Sequence, residues 1–275
     1  MFEKIIGHEE SKNTLENDIV NDKVSHAYLF SGIEGIGKKE LALEFARKLL
    51  NTDHLNACID FKYIEKAEDS TVIKVEQIRK KLADDVHIAP ATCDRKVYII
   101  NDAHLMNEEA QNAILKTLEE PPAYVVIILI THKEQELLTT VISRVNKLKF
   151  NKLNDEELDE LTIKSTGNKL DVLQHEYADG SLKIALELLK DNNKYDKIKT
   201  CVDKIKFEDK YGTLKALEEI DFKDDETFRY FEYIFLKNKM YNLVPMVEKL
   251  KTRMEQNGSE DMIKTAFVIN ILRKE

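Results

Sequence analysis

The chain has 275 residues, of which 43% are hydrophobic, and its 42 basic and 51 acidic residues give a net charge of −9. This length suggests about two domains, or three if one is small, and the hydrophobic content excludes global disorder. The acidic balance argues against strong DNA binding by this chain alone, because that affinity grows with the number of Lys and Arg contacts to phosphates. No apolar run approaches the ~20 residues of a membrane span, and the N-terminus lacks a signal-peptide core, so we expect a soluble cytoplasmic protein.

The first 150 residues alternate between strand-like and helix-like segments, which predicts a parallel sheet with helices on both sides. Short apolar runs mark the candidate strands: Ala27 to Phe30, Phe61 to Ile64, Val72 to Val75, Val97 to Ile100, Tyr124 to Ile130 and Val145 to Phe150. Apolar residues at helical spacing mark the helices between them: Lys39 to Leu50, Glu76 to Val86 and Asn107 to Leu118. Pro121-Pro122 stop the last of these helices.

The pattern changes near Asn151, after which we find only helical segments. We expect a small helical domain over residues 151–191 and a helical C-terminal domain over residues 192–275, separated by a break at Asp191-Asn192-Asn193. The first helix begins at Asn154, with Glu157 completing a capping box. The others are Lys169 to Tyr177, Ser181 to Lys190, Lys194 to Lys206, Tyr211 to Ile220, Asp225 to Lys239, Leu243 to Gln256 and Asp261 to Leu272.

The stretch Gly32-Ile33-Glu34-Gly35-Ile36-Gly37-Lys38-Lys39 matches a phosphate-binding loop, G-x-x-x-x-G-K-[ST], except at its last position. It follows an apolar strand and opens a helix, where backbone N–H groups and Lys38 would hold phosphates. The missing Ser or Thr hydroxyl normally ligates Mg²⁺, and the charge of Lys39 repels a cation. The loop indicates a phosphate-binding ancestry, and the alternative is a tight turn that binds nothing.

A second change lies after the strand Val97 to Ile100. In nucleotide hydrolases of this kind, the corresponding strand ends in two acidic residues, of which the first supports the metal and the second, usually Glu, polarises the attacking water. Here the strand ends in Asn101-Asp102. Asn101 lacks the charge, and Asp102 is shorter than Glu by one methylene. Together with Lys39, these residues predict no metal site and no hydrolysis, unless the segment is simply an ordinary strand-to-loop turn.

Cysteines and charged residues elsewhere give weaker signals. Cys58, Cys93 and Cys201 are scattered without a C-x-x-C pair, and structural zinc usually takes four Cys or His ligands at close spacings, so we expect no zinc. Glu119-Glu120 end a helix, where carboxylates oppose the helix dipole. They are either solvated or paired with basic groups of this chain or of a neighbour.

Several longer motifs occur together. They are His26-Ala-Tyr-Leu-Phe-Ser-Gly before the glycine loop, Ile99-Ile-Asn-Asp-Ala-His-Leu-Met106, Leu115-Lys-Thr-Leu-Glu-Glu-Pro-Pro122, Ser143-Arg144 and Gly180-Ser-Leu-Lys183. Over about residues 1–190 this set resembles the bacterial clamp-loader family of AAA+ proteins, and within it the delta-prime type of subunit. The resemblance implies an AAA+ phosphate-loop domain with a parallel sheet flanked by helices, a helical lid domain, and a short helical C-terminal domain for oligomerisation.

The resemblance also implies roles for individual residues. It places Gly32, Gly35, Gly37 and Lys38 in the phosphate loop, Thr131 at the polar sensor after the fourth strand, and Lys183 where ATPase members carry a sensor arginine. Arg144 matches an arginine that enters the ATP site of a neighbouring subunit. Such an arginine finger, supplied in trans, is worth ~10³–10⁵ in rate.

The chain departs from the family pattern in four ways. Val145 replaces a Cys, which leaves the arginine in place, and Lys183 replaces Arg, which loses bidentate phosphate contact. The four-cysteine zinc module of many members is missing, with only Cys58 in that region. The C-terminal helical domain is short for the oligomerising collar of the family.

Three hypotheses follow. The first is a non-catalytic clamp-loader subunit that needs no cofactor itself and donates Arg144 to an ATP and Mg²⁺ site on a neighbour. Its partners would be subunits of the gamma/tau and delta types and, through the complex, the sliding clamp and primer-template DNA. The second is an active ATPase of the gamma/tau type, supported by Lys38 and Asp102. The third is a scaffold that uses no nucleotide.

Overall fold

The computed structural model describes residues 1–190, 192–256 and 258–272. The chain divides into two compact units, Met1–Ala185 and Leu186–Glu275. The three predicted domains, with boundaries after residues 150 and 191, stay a prediction. Of the predicted break at Asp191-Asn192-Asn193, the first residue lies outside the described residues, and the other two already belong to a helix.

Five strands in the described part of the chain form one parallel sheet in the first unit, which confirms the predicted α/β class. The strands are β1 (Ala27–Ser31), β2 (Phe61–Ile64), β3 (Lys96–Ile100), β4 (Val125–Thr131) and β5 (Asn146–Lys149), in the order β2-β3-β4-β1-β5. The register sets Ser31 opposite Thr131 of β4 and Lys149 of β5. Strand β1 therefore ends beside the end of β4, the central strand.

Helices flank the sheet, and loops and short 3-10 turns connect the elements. Those of the first unit are α1 (Glu9–Val20), α2 (Lys38–Leu50), α3 (Val75–Ile78), α4 (Glu108–Glu119), α5 (Thr139–Ile142), α6 (Asp155–Thr166) and α7 (Val172–Ala178). Helix α8 (Leu182–Lys190) continues into the second unit, which contains α9 (Asn192–Lys206), α10 (Lys210–Glu218), α11 (Asp225–Lys237), α12 (Val244–Glu255) and α13 (Glu260–Leu272).

Alternate side chains of the buried strands face two separate helical layers, as a parallel sheet requires. On one face Tyr28 of β1 meets Phe45 of α2 edge to face, with ring centroids 5.4 Å apart. On the other face Leu29 and Ile127 belong to an apolar cluster that includes Ile114 of α4. Each central strand is thus buried on both faces, which explains its nearly continuous apolar sequence.

Two predicted elements near residue 75 differ from the structure. The predicted strand from Val72 to Val75 is wrong: only Ile73 makes an isolated parallel bridge, to Met106, and Val75 already begins α3. The predicted helix Glu76 to Val86 is present in part, as α3 followed by a π-helical turn, Arg79–Ala83.

The second unit is helical, as predicted, and no strand lies among the described residues after Lys149. Its core is aromatic. Phe231 stacks on Phe222 with ring centroids 5.8 Å apart, and Phe267 of α13 lies 4.8 Å from Phe231. None of the helices formed by residues 1–190, 192–256 and 258–272 is long and apolar enough to cross a membrane.

Candidate functional site

The turn between β1 and α2 has the backbone form of an anion site. Gly37 precedes the first residue of α2 with φ 94°, a left-handed conformation that glycine adopts at little cost. The helix N-terminus that follows presents unpaired N–H groups and the positive end of the helix dipole. The structure therefore places Gly32, Gly35, Gly37 and Lys38 in one strand-to-helix turn, as the motif predicted.

Lys38 closes this turn on itself. Its Nζ donates to the carbonyl oxygen of Gly32 at 2.8 Å and also to that of Ile33. The side chain is buried, and burial lowers its pKa to about 8 although the charges of Asp102 and Glu34 favour the protonated form. A phosphate bound in the loop would have to compete with the two carbonyl groups for this ammonium.

Lys39 points away from the loop. Its Nζ lies 5.0 Å from the centroid of the Tyr63 ring on β2, a cation–π contact, and its interaction with the Tyr63 side chain raises its pKa. The phosphate-loop pattern has a Mg²⁺-binding hydroxyl at this position. Here the position holds a lysine, and its ammonium contacts Tyr63 on the edge strand β2.

The segment around Lys183 packs directly onto the loop. Lys183 Nζ lies 2.8 Å from Glu34 Oε1, and Ser181 Oγ donates to the carbonyl oxygen of Glu34 at 2.8 Å. The backbone N–H of Lys183 donates to the carbonyl oxygen of Gly35 at 3.3 Å. The hydrogen bond from Lys183 lowers the pKa of Glu34. Lys183 therefore reaches the loop with its ammonium paired to a carboxylate, and its role as a nucleotide sensor stays a prediction.

Gly35 allows this close approach. Its φ is 75°, and a Cβ there would lie 2.4 Å from the Cβ of Lys183. We expect Gly35→Ala to lower the free energy of unfolding by roughly 2 kcal/mol, from overpacking added to backbone strain, as measured by urea denaturation. Gly167→Ala is the matched control, since Gly167 has φ 76° but nothing within 4 Å of the added Cβ. An equal loss in both variants would contradict the packing argument.

The polar groups after β3 and β4 meet at the same edge of the sheet as the glycine loop. Asn101 donates its side-chain amide to Asp102 Oδ2 at 2.9 Å. The buried hydroxyl of Thr131 accepts the N–H of Lys133 at 3.0 Å and lies 3.2 Å from Nδ1 of His104. Two histidines that the sequence did not assign to the site, His104 and His132, therefore join the predicted Asn101, Asp102 and Thr131.

These residues do not fit a nucleotide-bound Mg²⁺. Mg²⁺ requires oxygen ligands in a near-octahedral arrangement. Lys39 offers no oxygen, and the amide of Asn101 is turned to Asp102. The carboxylate of Asp102 remains, with its Oδ1 3.7 Å from His132 Nδ1. The turn keeps the backbone form of a phosphate-binding loop, and of Lys39, Asn101 and Asp102 only Asp102 still offers a carboxylate to a metal.

Arg144 lies at the opposite edge of the sheet. It comes before β5, and it lines an open depression with Ser25 and His26, which come before β1. Because a strand rises ~3.3 Å per residue, the five residues of β1 hold this depression roughly 16 Å from the glycine loop. Arg144 therefore cannot reach a phosphate in the loop of its own chain.

An ion pair positions the Arg144 side chain. Its Nη2 lies 2.8 Å from Glu119 Oε1, and its Nη1 donates to the carbonyl oxygen of Thr140 at 2.8 Å. This contact shows that one of the two carboxylates at the end of α4 has a basic partner within the chain. The Arg144 side chain is 34% exposed, so it is partly accessible from outside.

Cys58 and Cys93 also meet, although they are far apart in sequence. Their sulfur atoms are 3.7 Å apart. Asp60 lies beside them, but both of its carboxylate oxygens already accept hydrogen bonds, three from backbone N–H groups and one from the Thr92 hydroxyl. Asp60 thus holds the backbone of residues 91–93 in place, and with it the position of Cys93.

The sequence profile of the family described as "DNA polymerase III, delta subunit" matches residues 7–154, more than half of the chain. The chain belongs to this family. The finding confirms a relationship to the clamp-loader subunits of DNA polymerase III and does not distinguish the delta-prime from the gamma/tau type.

Curated relatives of this DNA polymerase III family chain carry names of the tau or gamma type. The tau subunit of Bacillus subtilis is 37% identical over 198 residues, which are 66% of this chain and 34% of that protein. The tau subunit of Escherichia coli is 31% identical over 207 residues, 68% of this chain and 32% of that protein. The chain therefore spans about a third of the length of these relatives.

Solved structures show the same fold. A DNA polymerase III gamma subunit-related protein of Thermotoga maritima covers 94% of this family member with a TM-score of 0.57 at 18% identity, with 98% of that chain covered. The RuvB Holliday junction branch migration motor of the same organism covers 98% with a TM-score of 0.53 at 17% identity, with 89% of that chain covered. The predicted AAA+ type of fold, a parallel sheet flanked by helices with a helical region after it, is thereby confirmed.

Proposed function

We propose that this chain is a delta-prime-type subunit of a DNA polymerase III clamp loader, which does not hydrolyse ATP and donates Arg144 to the ATP site of a neighbouring subunit. The observation that carries the proposal is the position of Arg144, accessible at one edge of the sheet and about the length of β1 from the glycine loop. An arginine so placed acts on a nucleotide only if another subunit brings one to it.

The state of the chain's own loop supports the non-hydrolysing part of the proposal. Lys38 is bonded to two carbonyl groups of the loop, Lys39 is held at Tyr63, and Asn101 replaces a carboxylate. Mg²⁺-assisted phosphoryl transfer depends on positioned phosphates and a neutralising metal. The state of Lys38 disfavours the first requirement, and Lys39 and Asn101 each remove a Mg²⁺ ligand.

The proposal implies a set of partners and a location. The neighbours would be gamma/tau-type and delta-type subunits, and ATP with Mg²⁺ would be bound by one of them. The sliding clamp and primer-template DNA would be met through the assembled loader. Since the chain has more acidic than basic residues, 51 to 42, it depends on these partners for DNA contact. The complex would work in the cytoplasm.

For the isolated chain we expect no Mg²⁺-dependent ATP turnover. The measurement is phosphate release by the wild-type chain and by Lys38→Ala, each with and without Mg²⁺, beside equilibrium ATP binding under the same conditions. The wild type should release phosphate no faster than the variant. Residual ATP binding without turnover agrees with the proposal, because the loop backbone still presents its N–H groups.

The names of the relatives favour a second candidate, an active ATPase of the gamma/tau type. The same experiment separates the two functions. Turnover that requires Mg²⁺ and disappears in Lys38→Ala would identify the ATPase and overturn the proposal. A nucleotide-independent scaffold, the third possibility, is separated by the Arg144 substitution in the assembled loader, where the ATPase rate would then be unchanged.

A further inference from the structure

Three potential metal ligands converge at the carboxyl ends of β3 and β4. Asp102 follows β3, His104 lies in the short turn Ala103–Leu105, and His132 follows β4 directly. Their ligand atoms all lie within 4.8 Å of one another. We propose that Asp102, His104 and His132 form a binding site for a divalent transition-metal ion of the zinc type. This inference is independent of the proposed function.

The geometry requires only small side-chain movements. With bonds of ~2.1 Å, a tetrahedral zinc site holds its ligand atoms about 3.4 Å apart. Asp102 Oδ1 and His132 Nδ1 are 3.7 Å apart, and the rings of His104 and His132 meet at an angle of 72° with centroids 4.2 Å apart. The side chains of Asp102 and His132 are 40% and 23% exposed, so both have room to turn toward the buried His104.

Neighbouring groups orient the ligands as outer-shell partners do in metal sites. Asn101 holds Oδ2 of Asp102 at 2.9 Å, which leaves Oδ1 for the metal. The hydroxyl of Thr131 lies 3.2 Å from Nδ1 of His104, and an N–H donated there leaves Nε2 of His104 unprotonated. Asn101 lacks the charge of the carboxylate that nucleotide hydrolases carry at this position. In the proposed metal site it instead positions the carboxylate of Asp102.

The donor set selects the kind of ion. Two imidazole nitrogens and one carboxylate oxygen suit Zn²⁺ and neighbouring transition metals, whereas Mg²⁺ prefers oxygen ligands alone. A water molecule would complete the tetrahedron on the exposed side. The nearby ammonium of Lys38 opposes a cation here, but the carboxylates of Asp102 and Glu34 offset its charge. The carboxylate of Glu34 also interacts favourably with a positive charge at His132.

The test uses the full chain, first stripped with a chelator and then titrated with CoCl₂. We expect one Co²⁺ per chain, with the visible absorption of a tetrahedral nitrogen and oxygen site, displaced by ZnCl₂. His132→Ala and Asp102→Asn should each weaken binding by at least about tenfold, and Asn101→Ala, which removes only an orienting group, by roughly tenfold. ZnCl₂ should also raise the melting temperature of the wild type but not of His132→Ala, and MgCl₂ should raise neither.

Cys58→Ser is the matched control. Cys58, Asp60 and Cys93 form the other cluster of potential metal ligands among the described residues. Unchanged Co²⁺ binding in this variant supports the proposal. Binding that is lost in Cys58→Ser, or that shows sulfur-to-cobalt charge-transfer bands, would assign the ion to the thiols and overturn the proposal. Unchanged affinity in a correctly folded His132→Ala, or no binding by the wild type at submillimolar Co²⁺, would overturn it equally.

Discussion

Replacing Arg144 with alanine should lower turnover at the ATP site that receives it by about a thousandfold or more, the usual worth of an arginine finger in trans. In the proposed role, the guanidinium would neutralise charge that develops on the γ-phosphate in the transition state. The measurement is steady-state ATP hydrolysis by the reconstituted loader with clamp and primed DNA. The total ATPase rate of the loader should fall by the fraction that this one ATP site contributes.

The ion pair with Glu119 does not prevent this role. Both side chains are partly exposed, 34% for Arg144 and 50% for Glu119, and exposed pairs contribute only about 0.2–1 kcal/mol. A desolvated phosphate with several oxygens offers the guanidinium a stronger partner. Glu119 therefore positions Arg144 in the free chain at little cost to its release in the assembly.

Two control variants separate the finger from a general effect of charge at this edge. Arg95 comes just before β3 at the same edge and pairs with Asp22 at 2.7 Å, so Arg95→Ala should leave the ATPase rate unchanged. Arg144→Lys should recover little, since lysine lacks the planar fork of guanidinium. Size-exclusion chromatography should show that all variants assemble. Normal hydrolysis by an assembled Arg144→Ala loader would refute the finger and favour the scaffold.

The sheet was predictable because its strands are buried on both faces. Val97 to Ile100 and Tyr124 to Ile130 are continuous apolar runs, and such runs leave few alternatives. Helix α1 was not predicted, since it buries only Ser11, Lys12 and Leu15 and so has almost no apolar stripe. Three of the four residues from Val72 to Val75 are β-branched, which favoured a strand. In the structure Ile73 makes a single bridge, and Val75 begins a helix.

The site was predictable only where it is local in sequence. The glycine loop and Asn101-Asp102 have fixed spacings that reflect backbone requirements, so the motif located them. The hydrogen bonds from Lys38 to the loop carbonyls have no sequence signal. Any long side chain with a donor group could fold back onto the loop and make them. His132 comes 30 positions after Asp102, and only the parallel pairing of β3 with β4 brings the two together.

Asp60 also has no signal in the sequence, and its replacement is the second substitution for which we expect a large effect. It was not predicted, yet its buried carboxylate anchors the segment before β3 by accepting from the backbone N–H groups of Ala91, Thr92 and Cys93 at 2.7–3.0 Å, and from the Thr92 hydroxyl at 2.8 Å. We expect Asp60→Ala to lower the free energy of unfolding by about 3 kcal/mol, because several donors lose a charged acceptor. Urea denaturation at neutral pH measures this loss.

The pH dependence of that loss distinguishes a charge effect from a packing effect. Burial raises the pKa of Asp60, but the four hydrogen bonds outweigh it and lower the pKa to about 2, against about 3.9 in an unfolded chain. Because the folded pKa is the lower one, the stabilisation is complete above about pH 4 and fades as pH falls toward 2. The stability gap between wild type and Asp60→Asn should therefore narrow below pH 4. Asp94→Ala, at an exposed position of the same segment, should change stability by less than about 0.5 kcal/mol. A gap that stays constant from pH 7 to pH 3 would mean that the carboxylate acts through its shape alone.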